Sequence, residues 1–206
     1  MSKVYLVASG KGGTGKTMFA ANLGASYAQM GYKVVVVDMD MGLRNLDLYF
    51  GLENNVVFDV FDVMTGVCHI KQALVRDRRF DNLYIIGACP ERDNGSITPL
   101  HVKVLCERLK QQFDYVIVDS PAGIDDGLVL ASAGADAAII VSTPEYAALR
   151  DADTLDRELR RLGIIQFDMN INISTNLGEP IVLKKDSYIS ENFHEIARRL
   201  RNREKE

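Results

Sequence analysis

The sequence predicts an α/β fold: a mostly parallel, doubly wound sheet between two layers of helices, in a single domain over residues 1–206. Three observations predict it. Short apolar runs alternate with longer helical patterns from one end of the chain to the other, the order that gives right-handed β-α-β crossovers. The runs are rich in Val and Ile and apolar throughout, as strands are when both faces are covered. A glycine-rich loop lies between the first run and the first helical pattern, where such sheets bind ligands.

The strands are expected at residues 4–8, 34–38, 83–87, 115–119 and 137–142. After Lys16, the residues Phe19, Leu23, Tyr27 and Met30 recur at helical spacing and form one apolar stripe. Gly31 stands where a left-handed cap would end that helix. Thr98 and Pro99 form a cap and first-turn pair, opening a helix that turns Val102, Leu105 and Leu109 inward. From Tyr146 another helix carries Ala152, Leu155, Leu159 and Leu162 on one face. Asp153–Arg157 and Asp156–Arg160 are i,i+4 ion pairs on the other. Ile189, Phe193, Ile196, Ala197 and Leu200 make a last helical stripe, expected to pack on the domain.

A length of 206 residues suffices for one well-filled core, and 47% hydrophobic with 25% charged residues is the composition of an ordinary globular protein. The net charge of −4 argues against a chain built around nucleic-acid phosphates. Cys68, Cys89 and Cys106 form no CxxC pair, so neither a zinc site nor a disulfide framework is expected, and the compartment reads as cytoplasmic. The apolar opening is too short for a signal peptide, and no stretch is long enough to span a bilayer.

The chemistry is carried by Gly10-Lys11-Gly12-Gly13-Thr14-Gly15-Lys16-Thr17, which satisfies G-x-x-x-x-G-K-[ST] at every fixed position between a strand and a helix. The glycines let main-chain N–H groups turn toward phosphate oxygens, and the helix N-terminus adds its partial positive charge. Lys16 is then placed for the β- and γ-phosphates and the Thr17 hydroxyl for Mg2+. Asp119 ends one buried strand as a Walker B carboxylate does, and Asp38 ends another with Asp40 two residues on. The fold expected is therefore that of a P-loop NTPase, and the ligands expected are a nucleoside triphosphate and Mg2+.

Lys11, the residue after the first glycine, makes the loop a deviant Walker A motif, and the chain resembles the ParA/MinD family. Within it the likeness is strongest to the septum-placing members. Residues 38–47 resemble their switch I, followed by Gly51-Leu52-Glu53-Asn54 and Phe58-Asp59-Val60. Residues 113–124 resemble Walker B running into switch II, and Thr143-Pro144-Glu145, Arg150-Asp151-Ala152-Asp153 and residues 174–180 resemble further family blocks. The resemblance implies an ATP-dependent homodimer in which Lys11 contacts the partner subunit's phosphates. It implies a nucleotide cradle of Gly10, Lys11, Gly12, Gly13, Thr14, Gly15, Lys16, Thr17 and Met18, with Asn45 near the γ-phosphate. Asp40 would position the attacking water, Asp38 and Asp119 would join Thr17 in supporting the metal, and Pro121, Ala122 and Gly123 would be the mobile part of switch II. Implied partners are a MinC-like inhibitor, a MinE-like activator and the inner face of the membrane.

Three departures stand out. Met18 replaces a second hydroxyl residue. After Leu162 the chain passes directly to Gly163-Ile164-Ile165-Gln166, omitting a βα unit of about 40–50 residues that in the family carries a base-recognising Asn. The final residues, 201–206, are polar and have no apolar face to insert into a membrane. The arginines at 198, 199, 201 and 203 read as a solvated helix end, His194-Glu195 lacks the second His of a zinc motif, and His69 and His101 show no partner. Other readings on the same scaffold are a flagellar-number or ParA-type positioning ATPase, a nucleotide-binding adaptor with little turnover, and a nitrogenase-type iron protein. The last needs a cysteine pattern that Cys89 and Cys106 do not supply.

Overall fold

The structure, a computed structural model, describes residues 2–40, 45–88, 96–143, 145–162, 165–167 and 188–203. In chain order the elements are β1 (Lys3–Ala8), α1 (Lys16–Gln29), β2 (Val34–Asp38), α2 (Leu46–Phe50), α3 (Val60–Met64), α4 (Ile70–Ala73), β3 (Val75–Arg76), β4 (Leu83–Ile86), α5 (Pro99–Lys110), β5 (Tyr115–Asp119), α6 (Asp126–Ser132), β6 (Ala137–Ile140), α7 (Tyr146–Arg161), β7 (Ile165–Phe167) and α8 (Tyr188–Arg203). The strands form one sheet in the order β3-β4-β2-β5-β1-β6-β7. All neighbours pair parallel except β3, a two-residue antiparallel edge against β4. Every expected strand is present, within two residues at its ends. Residues 41–44, Cys89, Pro144, residues 163–164, the block at 174–180 and the tail from 204 lie outside the described residues.

Alternation along each strand divides the core into two layers. Leu6, Val35, Val37, Val116 and Val118 face α3, α5, α6 and α7 on one side. Tyr5, Val7, Val34, Val36 and Ile117 face α1, α2 and α8 on the other. This is the three-layer αβα sandwich expected, and the helices begin where their caps direct. Asp59 and Asp62 exchange main-chain bonds at 2.9 and 3.3 Å to open α3. Thr98 N–H donates to His101 Nδ1 at 3.1 Å to open α5, so His101 is a capping residue rather than one without a partner. His69 N–H likewise donates to Gln72 Oε1 at the start of α4.

Three expectations need correction. α1 is buried on nearly every face rather than along one stripe, because α8 packs across it with Phe193 against Phe19 at 5.7 Å between ring centroids. Arg157 bonds the main-chain carbonyl of Asp153, not its carboxylate, whereas Arg160 does pair with Asp156 at 2.7 Å. Leu162 is exposed, just beyond the end of α7. Among the described residues no helix is long and apolar enough to cross a membrane. β7 follows α7 directly and pairs with β6, closing that flank of the sheet where the extra βα unit was expected.

Candidate nucleotide site

Parallel pairing of β1, β2 and β5 brings their carboxyl ends together, and the site grows from there. Beyond β1 the chain turns through Gly13 and Gly15 at φ +78° and +87°, a left-handed geometry that strains any residue with a Cβ. Gly15 is also the N-cap of α1 and supplies no side-chain cap, so the first N–H groups of the helix are open to an anion. The loop is pressed from outside by α7: a Cβ on Gly10 would lie 2.7 Å from Asp151 Cβ. Thr14 Oγ1 is buried and makes no hydrogen bond to the described residues.

Lys16, the first residue of α1, turns inward. Its Nζ stands 3.4 Å from Asp119 Oδ1, with side-chain exposures of 7% and 1%. Asp38 is the register partner of Asp119 on the neighbouring strand. It accepts Asp40 N–H at 2.9 Å on one oxygen, and Asn45 and Leu46 N–H at 3.3 and 3.2 Å on the other. Asp38 is thus held by the N-terminus of α2. Burial, reinforced by the charge of Asp119, still pushes its carboxyl up to about 7. Burial raises Asp119 as well, against the pull of Lys16 and the Thr17 hydroxyl. Among the described residues the Lys16 ammonium is paired with Asp119 alone, Asp38 is held by main-chain N–H groups, and Asp119 Oδ2 accepts no hydrogen bond. These groups fit Mg2+: the donors are hard oxygens, a second positive charge is called for, and one carboxylate oxygen is open. Among the described residues no cluster of three or more His, Cys, Asp or Glu forms a complete cage. A cation here would fill its shell with the Thr17 hydroxyl, water and phosphate oxygens.

Most of the sequence-predicted residues converge here. Asp40 lies beside Asp38, and Asn45 caps α2 against it. After β5, Pro121 and Ala122 are half-buried, and Gly123, at φ +101°, donates its N–H to Ser9 O at 2.9 Å. The segment read as switch II is thereby tied to the residue that opens the glycine-rich loop. Met18 does not face outward with the loop: its side chain is buried within the fold and its carbonyl accepts Asn22 Nδ2. Lys11 points away from Lys16 and pairs with Glu145 at 3.1 Å, beside Tyr146, which is 88% exposed. Sequence reasoning assigned no role to Glu145, Asp151 or Ser9. Glu145 and Asp151 stood inside quoted family blocks, and Ser9 carried no signal.

Comparison with known proteins agrees with this geometry. Residues 2–175 match the AAA domain family. The septum site-determining protein MinD of Bacillus subtilis is 47% identical over 172 residues, covering 83% of this chain and 62% of that protein. MinD of Synechocystis is 42% identical over 238 residues, covering 97% and 90%. That alignment is about forty positions longer than the part of this chain it covers, in keeping with an omitted βα unit. Among solved structures, the MinC:MinD cell division complex of Aquifex aeolicus superposes with a TM-score of 0.86 at 33% identity, covering 98% of this chain and 96% of that one. MinD of Pyrococcus horikoshii complexed with Mg-ADP gives 0.74 at 30% identity, covering 81% and 68%.

Proposed function

This chain belongs to the MinD group of AAA-domain P-loop ATPases, and from that premise we propose that it is an ATP-hydrolysing dimeric switch in placement of the division septum. The observation that carries the reading is the buried Lys16–Asp119 contact at the open N-terminus of α1, with Asp38 alongside. An ammonium, two carboxylates and open helix N–H groups gathered in one place are the groups that a phosphate chain and its metal require. The solved relative with Mg-ADP supports the same ligand class here, and the solved MinC:MinD complex supports a MinC-like partner.

ATP binds with its phosphates on the N–H groups of the loop and of the first turn of α1. Lys16 turns from Asp119 to the β- and γ-phosphates, leaving Asp119 and Asp38 to hold the metal's water shell. Bound Mg2+ supplies neutralisation of the phosphate oxygens as charge shifts to the leaving group. Asp40 orients a water for in-line attack. The oxygen of that water forms the new bond to phosphorus as the bond to the ADP oxygen breaks, releasing ADP, phosphate and a proton. Lys11 leaves Glu145 and crosses to the partner subunit's nucleotide, so ATP joins two subunits and hydrolysis parts them. A MinE-like activator accelerates that step.

Mass by light scattering tests this in Mg-ATP, in Mg-ADP, and in Mg-ATP with Lys11→Ala, each alongside phosphate release. We expect a dimer for the wild type in Mg-ATP alone. Monomers throughout would overturn the dimeric switch, and a dimer without phosphate release would leave a nucleotide-binding adaptor.

A further inference from the structure

Ser9 is the first residue beyond β1 and is almost wholly buried, yet it belongs to neither fixed motif. Its hydroxyl donates to the carbonyl oxygen of Lys11 at 2.9 Å. Its own carbonyl accepts the N–H of Gly123 at 2.9 Å. One residue therefore touches both the outward-facing lysine, through its hydroxyl, and Gly123, through its main-chain carbonyl. The residue between, Gly10, has no room for a Cβ because Asp151 closes over it. The Ser9 hydroxyl thus holds the Lys11 carbonyl, while α7 closes over the residue between them. Its side chain leaves outward, toward Glu145.

We infer that Ser9 is a positioning residue. Its hydroxyl sets the Lys11 main chain so that the ammonium is presented away from the subunit's own phosphates. Its carbonyl makes that placement responsive to switch II through Gly123. Any residue here keeps the main-chain bond to Gly123, so only the hydroxyl bond to Lys11 depends on serine. Loss of a hydroxyl that merely satisfied a local turn would not separate nucleotide capture from dimerisation. The inference rests on the dimeric reading for what Lys11 does, but not for how Lys11 is held.

The test compares wild type, Ser9→Ala and Ser9→Thr by three measurements. These are Mg-ADP affinity, the protein concentration at half-dimerisation in Mg-ATP, and amide hydrogen exchange over residues 10–13 in the nucleotide-free monomer. One neutral hydrogen bond is lost in Ser9→Ala, so exchange there should quicken roughly three- to tenfold and the dimerisation midpoint should rise by a similar factor. Mg-ADP affinity should stay within about twofold, because the removed bond is accepted by the Lys11 carbonyl, and phosphates are bound by N–H groups rather than by carbonyls. Ser9→Thr keeps the hydroxyl and should restore both. Unchanged exchange in Ser9→Ala, loss of Mg-ADP affinity in step with dimerisation, or failure of Ser9→Thr to restore would each overturn the proposal. A wild type that stays monomeric in Mg-ATP would refute the dimer and leave exchange to decide Ser9.

Discussion

Asp38 shows how the site stores a preference for its ligand. A carboxyl at the end of a buried strand, beside a second carboxylate, is costly to ionise even with three main-chain N–H groups turned on it. Its pKa in the folded chain, about 7, lies above the unfolded value of 3.8. Between those values the folded state binds the extra proton, so this contribution to stability is full below about pH 4 and is lost as pH rises through 7. Asp38→Asn removes it. We expect the nucleotide-free variant to melt higher than wild type at pH 7.5 and to show a flatter dependence of Tm on pH between 4 and 7.5. The same variant should bind Mg-ATP at least tenfold more weakly, since the second positive charge then meets one carboxylate fewer. Calorimetric scans across that pH range check the first outcome and titration calorimetry the second. A variant that melts lower than wild type at pH 7.5 would refute the account of Asp38.

At the level of elements, the parallel strands were legible because burial on both faces leaves a run with no polar interruption. The P-loop was legible because the glycines, Lys16 and Thr17 must be contiguous to wrap a phosphate. β3 and β7 were not, since two or three paired residues carry no period. Nor were the contacts of Glu145 and Ser9, which join segments more than a hundred residues apart. The burial of α1 belongs to the same class. Its own sequence shows a stripe, and the rest of its surface is covered by α2 and by α8 from the other end of the chain. That makes α8 a structural lid over the helix that begins with Lys16. Phe193→Ala, which empties the space against Phe19, should cost about 3–5 kcal/mol in urea unfolding. Saturating Mg-ADP should recover part of the loss, because ligand bound to the native state adds stability by mass action. A loss below about 1 kcal/mol would mean that α8 is not held as the packing shows.

Across the whole molecule the two halves of a nucleotide are served unequally. The phosphate half rests on β1, α1, β2 and β5, all central to the sheet and all closely packed. The half that reads the base depends, in the relatives this chain resembles, on a βα unit carrying an Asn. About forty positions of the Synechocystis relative have no counterpart here. Affinity should then come almost entirely from phosphates and metal, which ATP and GTP present alike. A site with hydrogen bonds to the base rejects the wrong one by about 10⁴-fold or more, whereas shape alone gives roughly 10–200-fold. We therefore expect Mg-ATP and Mg-GTP to bind within about 100-fold of each other, and Mg-ADP and Mg-GDP to do the same. Titration calorimetry with the four nucleotides decides it. Discrimination near 10⁴-fold would place base recognition on residues of this chain outside the omitted unit. Equal binding with hydrolysis intact would show that the switch runs on the phosphate half alone.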